Sequence, residues 1–385
     1  MSQKILVVAP YTFLPFRSGG QKFIAQFLDA LGQQASVTVL STAQESSYTP
    51  SPHYRLLPAL AYSFFRYFDF TLKATIIDLI ERNRYDWIIW EHPYYGWLAK
   101  IIKEKTGIKT LLHTHNIEYQ RFRSVGKIWW PLLKQYEKKA FSIADKIGFI
   151  TTEDKRFAIE QWQVAPQDCV DIPYGVSIDT YPTDRGNCRM EILDKHAVNA
   201  THTILLFNGS LDYAPNYKAL KGILKELVPR LQKYPGPKFT LLVCGKGLPK
   251  RDKELTAYRA AGVIYTGFVD SIEPYIKAAD IVLNPVVEGG GVKTKMIEAI
   301  AQGTPVVAMK TAAIGMAPAL CEQLLVTTPD KDWDQFAQAI IALRTRLTSE
   351  TVQTPSTFYS YYNWRSITER LLAHLTDPFA AAKEY

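Results

Sequence analysis

Three consecutive glycines followed by lysine and glutamate mark the part of the sequence best suited to bind an anion. In residues 284–307, glycine occupies positions 289–291, and Lys295 and Glu298 follow. The pattern predicts a strand, a glycine loop, a helix of about ten residues that places Gly291, Lys295 and Glu298 on one face, and a second strand. Loop amides and the lysine would hold a diphosphate, and the carboxylate would accept hydrogen bonds from ribose hydroxyls. A solvated Lys295–Glu298 ion pair is the alternative, but three glycines before a helix are costly without a function.

Two histidines form a second candidate site. His113 and His115 lie two apart at the end of a predicted strand, so their side chains point to the same face. Such pairs occur in metal sites, but no third ligand is obvious nearby in the sequence. The simpler interpretation is an active-site edge, where His115 donates to a substrate oxygen or orients a substrate hydroxyl. A core histidine with satisfied hydrogen bonds is the alternative.

A third candidate lies between the first predicted strand and helix, where residues 17–21 read RSGGQ. Gly19 and Gly20 permit close approach of a ligand to the backbone, and the helix N-terminus behind them favours an anion. A plain tight turn explains the pair equally well. The spacing is not GxGxxG, so no dinucleotide fingerprint is present.

The elements that must position these residues alternate between buried strands and amphipathic helices. Strands without polar alternation, typical of a parallel sheet, are predicted at residues 5–9, 37–41, 87–90, 110–115 and 146–151. A connection follows at 171–182, and a second series is predicted at 204–208, 239–244, 263–267, 281–285, 305–308 and 324–326. This order predicts two Rossmann-like, doubly wound α/β domains, residues 1–185 and 186–362, and a C-terminal helix in 363–385 that packs on either domain. Ligands of such sheets bind beyond the carboxyl ends of the strands, where all three candidates lie.

Composition agrees with a globular enzyme of two domains. The chain has 385 residues, of which 47% are hydrophobic and 21% charged. Four scattered cysteines (Cys169, Cys188, Cys244 and Cys321) lack zinc or CxxC spacing and predict reduced thiols in a cytoplasmic protein. The apolar start is interrupted by prolines and predicts a buried strand and not a signal peptide. The sequence contains no uninterrupted apolar run of about 20 residues.

Charge is unevenly distributed. The formal net charge is +8, and residues 100–139 contain ten basic and three acidic residues together with Trp129 and Trp130. Basic residues beside aromatic ones suit an anionic membrane surface, and the aromatic stretch at 56–80 could contribute. A charged rim over an aromatic core helix explains the pattern equally well. No recognition motif supports nucleic acid as a partner.

Residues 289–307 resemble the donor-site segment of family 4 glycosyltransferases of GT-B fold, in particular the subgroup reading GGGxKxKxxEAxAxGxPVV. The resemblance covers most of residues 1–375. Further matches in order are the HNIE at 115–118, the YGV at 174–176, the FNGS at 207–210, the CG at 244–245 and the TGFV at 266–269.

The resemblance implies a GT-B fold with two domains facing across a cleft, and it assigns roles to particular residues. Glu298 matches the glutamate that binds the donor ribose, His115 the histidine near the transferred sugar, and Gly19 and Gly20 the loop facing phosphates and acceptor. The remaining donor contacts fall on Gly209, Val269, Gly290, Gly291, Lys293 and Lys295. Gly290 stands where the family has another glutamate, and we expect the nearby Glu288 to take over that catalytic role. The alternative is that the loop amides alone contact the sugar and that Glu288 is a solvated loop residue. The basic pair that often follows the Gly209 loop is also absent, and Lys293 and Lys295 are expected to supply its charge.

The implied reaction is retaining transfer of a sugar from a nucleoside diphosphate to a glycan, lipid-linked or other acceptor, as in polysaccharide biosynthesis. It implies no cofactor and no metal. The enzyme is expected in the cytoplasm, with peripheral contact at the inner face of the membrane. A sugar-nucleotide epimerase and a non-catalytic nucleotide-sugar-binding protein are the alternatives, and incubation with a nucleotide sugar alone would reveal the epimerase.

Overall fold

A computed structural model describes residues 2–16, 18–43, 51–236, 238–288, 291–350 and 352–376. The chain divides into two compact units. The first consists of Met1–Ser177 and the segment that begins at Tyr362, and the second is Ile178–Tyr361.

The first unit alternates strands with helices. Its strands are β1 Lys4–Val8, β2 Ser36–Thr42, β3 Tyr54–Leu60, β4 Trp87–Glu91, β5 Lys109–Thr114, β6 Lys146–Phe149 and β7 Cys169–Asp171. Its first helices are α1 Gly19–Gly32, α2 Leu72–Asn83, α3 Gly96–Thr106, α4 Glu118–Ser124, α5 Trp130–Ile143 and α6 Thr152–Trp162. Short 3-10 helices lie at Phe64–Phe68, Pro93–Tyr95 and Pro166–Asp168.

Within the described residues these seven strands form one parallel sheet in the order β3-β2-β1-β4-β5-β6-β7. The central strands are almost entirely buried, as their uninterrupted apolar sequences predict. Strand β3 was not among the predicted strands. It lies at the edge of the sheet, where Pro58 and half-exposed side chains are tolerated and where the apolar signal is weakest.

The second unit repeats the plan. Its strands are β8 Thr203–Asn208, β9 Phe239–Cys244, β10 Val263–Gly267, β11 Ile281–Asn284, β12 Val306–Met309 and β13 Leu325–Thr328. Its helices are α7 Arg185–Lys195, α8 Ala214–Gly222, α9 Val228–Gln232, α10 Glu273–Ala278, α11 Thr294–Ala301, α12 Pro318–Cys321, α13 Trp333–Ser349 and α14 Ser356–Tyr362. A π-helical turn, Ile223–Leu227, joins α8 to α9, and 3-10 segments lie at Lys250–Ala261, Lys310–Ala313 and Glu322–Leu324.

In the described part of this unit the six strands form a parallel sheet in the order β10-β9-β8-β11-β12-β13. The chain reverses direction across the sheet between β8 and β11, the position at which open α/β sheets bind ligands. The predicted fold class, two Rossmann-like doubly wound sheets, is confirmed.

The last described helix, α15 (Trp364–Thr376), completes the first unit. It contacts α1 and β7, and the Trp364 ring packs 5.2 Å from the ring of Phe23. Backbone hydrogen bonds join Val176 to Tyr362 and Trp364. A Cβ on Gly175 would lie 2.2 Å from the Trp364 ring, so this close packing requires glycine. Among the described residues, no helix is both long enough and apolar enough to cross a bilayer.

Candidate functional site

In the first unit, a buried carboxylate lies between two histidines at the carboxyl ends of β4 and β5. Glu91 is paired with His113 across the sheet. The Glu91 carboxylate lies 3.0 Å from Nδ1 of His113 and 2.8 Å from Nε2 of His115. Glu91 and His113 are fully buried, and the His115 ring reaches solvent only slightly. The sequence predicted the two histidines at this edge but missed Glu91, although it directly follows the predicted strand at 87–90.

The two histidines determine the charge of this carboxylate. Burial alone would raise the pKa of Glu91, but the charge of His113 and hydrogen bonds from both imidazoles hold that pKa well below its usual value. Burial lowers the pKa of His113, although Glu91 opposes the shift. Glu91 is therefore ionised at neutral pH and accepts a hydrogen bond from each ring.

Glu91, which is distant from the histidines in sequence, provides a third potential ligand in space. The ligand atoms of Glu91, His113 and His115 all lie within 4.8 Å of one another, a donor set that suits a divalent metal ion. The same atoms are also satisfied as a hydrogen-bonded cluster, since each imidazole donates to the carboxylate. The cluster therefore fits the oriented histidine of an active-site edge as well as it fits an ion.

His92 is a second feature that the sequence did not reveal. Its backbone has φ 69° and ψ 158°, a conformation that costs a side-chain-bearing residue about 1 to 3 kcal/mol. Its Nε2 lies 2.9 Å from the Tyr11 hydroxyl, and its ring lies 4.2 Å from that of His115. Burial and the neighbouring His115 lower the pKa of His92 to about 4, so it is neutral at pH 7. The ring of His92 therefore packs on His115 without adding a positive charge beside it.

The N-terminal part of α1 also contacts His115. The hydroxyl oxygen of Ser18 accepts a hydrogen bond from the Gln21 amide, which fixes the helix start at the predicted pair Gly19 and Gly20. One turn on, the ring of Phe23 lies 5.0 Å from that of His115. A Cβ on Gly20 would meet no atom within 4 Å, so open space faces that backbone. Gly19, Gly20 and His115 are thus brought to one edge of the sheet.

In the second unit, predicted donor residues follow three parallel strands at their carboxyl ends. Gly209 follows β8, Val269 follows β10, and Gly291 precedes α11 after β11. Gly209 has φ +144°, and a Cβ there would lie 2.8 Å from the Asn216 side chain. Gly290, with Gly289, lies outside the described residues, as does Arg17.

Lys295 is a desolvated lysine near the start of α11. Its ammonium lies 3.2 Å from the backbone oxygen of Asn208 and 4.7 Å from the centre of the Phe207 ring. Within the described residues no carboxylate forms an ion pair with it. Burial and the charge of Lys293 lower the pKa of Lys295 to about 7, and burial also lowers the pKa of Lys293. Two desolvated lysines at the carboxyl end of a parallel sheet form a site that attracts an anion.

The helix after the glycine loop begins later than the sequence predicted. Helix α11 starts at Thr294, with Lys293 as its capping residue, and Gly291 has φ +75° outside the helix. The prediction that Gly291 shares a helix face with Lys295 and Glu298 is therefore wrong, because Gly291 lies before the helix. Lys295 and Glu298 do lie one turn apart on the side of α11 away from its buried residues Met296, Ile297, Ala299, Ile300 and Ala301.

Glu288 lies at the surface of the second unit. Its carboxylate forms an ion pair with Lys218 of α8, at 2.8 and 3.0 Å, and both side chains are largely exposed. The sequence did not indicate this partner. The pair connects the loop after β11 to the helix after β8.

Two asparagines at strand ends add polar atoms that sequence reasoning missed. Asn284 at the end of β11 is fully buried, and neither its amide oxygen nor its nitrogen has a hydrogen-bond partner in the described structure. Asn208 at the end of β8 likewise keeps an unpartnered side-chain oxygen. Buried polar groups without partners are rare and commonly await a ligand or water.

Two family models match the chain. Glycosyltransferase Family 4 matches residues 17–180, and Glycosyl transferases group 1 matches residues 202–346. The chain is a glycosyltransferase. No curated protein sequence gives a significant match.

Solved structures with the same architecture include several glycosyltransferases. A glycosyltransferase from Rickettsia africae has a TM-score of 0.71 at 16% identity, covering 98% of this chain and 99% of that chain. Sucrose-phosphate synthase from Thermosynechococcus elongatus has 0.68 at 18%, with 98% and 100% coverage. HepE from Anabaena, in complex with UDP, has 0.68 at 16%, with 97% and 100% coverage. The glycosyltransferase therefore has the GT-B fold.

Proposed function

We propose that this glycosyltransferase moves a sugar from a nucleoside diphosphate to a glycan, lipid-linked or other acceptor, with retention of anomeric configuration. Nucleotide binding is assigned to the second unit, and a role in sugar transfer is assigned to His115 of the first. HepE is described in complex with UDP, which makes UDP the first nucleotide to test.

The observation that carries this proposal is Lys295. A buried ammonium with no carboxylate partner among the described residues and a second lysine beside it is unfavourable by itself. A diphosphate supplies the missing negative charge. The backbone amides near Gly291 and the charge of Lys293 add to the same end of α11. Glu298, one helical turn further, is assigned to the ribose hydroxyls, from which its carboxylate would accept hydrogen bonds.

In the first unit, Glu91 determines what His115 does. The ionised Glu91 carboxylate accepts a hydrogen bond from Nε2 of His115, which leaves Nδ1 for the substrate. His115 therefore uses Nδ1 to orient a hydroxyl of the transferred sugar or to donate to a substrate oxygen. Gly19 and Gly20 present backbone amides at the same edge.

The leaving diphosphate accounts for the remaining chemistry. Positive charge from Lys295 and Lys293 stabilises the negative charge that develops as the sugar–phosphate bond breaks. The departing phosphate oxygen takes the proton of the acceptor hydroxyl, so the proposal needs no divalent metal. Activity that persists in a chelator supports this mechanism, and activity restored only by an added metal contradicts it.

Diphosphate binding should be coupled to proton uptake. Lys295, with a pKa of about 7, is about nine-tenths neutral at pH 8. A bound diphosphate raises that pKa, so each UDP should bring in about 0.9 proton at pH 8, and affinity should fall as the pH rises above about 7. Calorimetry in two buffers of different ionisation enthalpy measures the uptake.

Lys293→Met is the matched control for Lys295→Met. We expect Lys295→Met to abolish the proton uptake and to reduce turnover more than Lys293→Met does, because Lys295 is the more deeply desolvated of the two charges. Equal losses in the two variants, or UDP binding without proton uptake in the wild type, would assign the diphosphate to other groups.

The family has a glutamate at the position of Gly290. We assign to Glu288 the sugar hydroxyls that this glutamate would bind. Glu288→Gln should reduce turnover at least tenfold, about 1.4 kcal/mol of transition-state stabilisation, while UDP affinity stays unchanged. Glu226→Gln, which alters an exposed carboxylate paired with Arg230 in the same unit, is the control. Wild-type turnover in Glu288→Gln would leave Glu288 with only its Lys218 ion pair.

The experiment that tests the function as a whole uses a panel of nucleotide sugars with glycan and lipid-linked acceptors. Transfer of the sugar to an acceptor with the anomeric configuration kept supports the proposal. Inversion, or isomerisation of the donor when no acceptor is present, contradicts it.

A further inference from the structure

The first unit exposes large apolar side chains that follow two strands of its sheet. After β3, five aromatic residues around the 3-10 helix Phe64–Phe68 are more than half exposed, with Phe64 at 69% and Phe65 at 76%. After β5, the connection from α4 to α5 exposes Ile128 at 91%, and the first turn of α5 exposes Leu132 at 77%. Isolated exposed apolar residues are ordinary, but clusters of this size mark an interaction surface.

A continuous series of contacts joins the two clusters. Successive ring or side-chain contacts run through Phe64, Tyr67, Tyr94, Arg121, Phe122 and Trp129. Within this series, the partly buried Tyr67 packs on the buried core. The exposed rings are therefore linked to the core through Tyr67. Because β3 and β5 are parallel, both clusters follow carboxyl ends at the same edge of the sheet.

The surface is also positively charged. Between residues 119 and 139 there are six basic residues and one carboxyl group, Glu137. That carboxyl is buried, and burial raises its pKa to about 8, so it adds little negative charge. Arg123, Lys127, Lys138 and Lys139 are exposed. Cationic side chains beside exposed aromatic and aliphatic ones match a bilayer interface that carries anionic headgroups.

We propose that this surface, formed by residues 62–70 and 121–139, docks the enzyme peripherally on an anionic lipid bilayer. The aromatic and aliphatic side chains enter the headgroup region, while the lysine and arginine side chains remain at the level of the lipid phosphates. Docking is a property of the first unit and requires neither donor nor acceptor. It goes beyond the transfer reaction and holds whichever acceptor is used.

The test is flotation of the full chain with vesicles of phosphatidylglycerol and phosphatidylcholine, and with vesicles of phosphatidylcholine alone. The wild type should float with the anionic vesicles and bind the neutral ones at least tenfold more weakly. Phe64→Ser with Phe65→Ser should lower the partition coefficient at least tenfold, about 1.4 kcal/mol. Lys127→Glu with Lys138→Glu should do the same, and the remaining binding should no longer depend on salt.

Matched controls alter the second unit. Met190→Ser with Ile314→Ser removes two exposed apolar side chains, and Lys225→Glu with Lys233→Glu reverses two exposed charges there. Both should float as the wild type does, and thermal melting verifies that every variant is folded. Three outcomes would overturn the proposal: equal losses in test and control variants, no flotation of the wild type, or equal binding to both kinds of vesicle. The proposal would also be overturned if the wild type bound duplex DNA through the same residues and did not bind vesicles. UDP affinity, measured on the same samples, stays unchanged if only docking is lost.

Discussion

We expect His115→Ala to lower turnover about 100-fold, about 2.7 kcal/mol, while the affinity for UDP stays within about twofold of the wild type. His115 lies in the first unit, where Glu91, His92 and Phe23 fix its ring. Its removal deletes a preorganised hydrogen-bonding group for the transferred sugar, an interaction that UDP does not make. Steady-state kinetics and UDP calorimetry together measure the two effects.

His53→Ala is the control, since His53 also lies beside a carboxylate, Asp29, but is far more exposed. It should retain turnover. His115→Gln keeps a polar side chain and guards against simple misfolding. If every His115 variant melts early and the folded fraction turns over normally, His115 is a structural histidine. Activity that is lost on chelation in the wild type and insensitive to it in the variant would instead make Glu91, His113 and His115 a metal site.

Glu298→Ala should weaken UDP binding about 30- to 150-fold, about 2 to 3 kcal/mol, without a loss of thermal stability. Glu298 lies on the side of α11 away from its buried residues, and alanine is a good helix former, so the helix should persist. The loss should come from two hydrogen bonds between the carboxylate and the ribose hydroxyls.

A nucleotide analogue separates this role from a general charge effect. In the wild type, 2′-deoxy-UDP should bind more weakly than UDP, and in Glu298→Ala that difference should largely vanish. Glu273→Ala, which removes a half-exposed carboxylate paired with Lys277, is the matched control. Undiminished UDP affinity in Glu298→Ala, or a ribose preference that survives the substitution, would remove Glu298 from the donor site.

Much of the fold could be predicted because each central strand is encoded by a short run of neighbouring residues. Uninterrupted apolar runs identified the central strands, since a strand buried on both faces needs apolar residues at every position. The edge strand β3 was missed because its half-exposed residues and Pro58 carry no such signal. The start of α11 was predicted too early, because a glycine before a helix does not reveal where the helical backbone begins.

The candidate site could be predicted only where its residues are neighbours in sequence. Lys295 and Glu298 follow from helical spacing, and His113 and His115 from the alternation of a strand. Contacts that cross between elements were not predictable, because register and side-chain direction are set by tertiary packing. The carboxylate of Glu91 reaches the histidines through the pairing of β4 with β5, and the Asn208 oxygen reaches Lys295 from another strand.

The return of α15 to the first unit has a consequence for how the protein is made. Phe23, on α1, has its partner Trp364 in a segment that follows the whole of Ile178–Tyr361. At synthesis rates of about 5 to 20 residues per second, the ribosome needs roughly 10 to 40 s to produce that intervening stretch. During this time Phe23 lacks its contact with Trp364. The unit that begins first is thus completed only after the whole of the second unit has been synthesised.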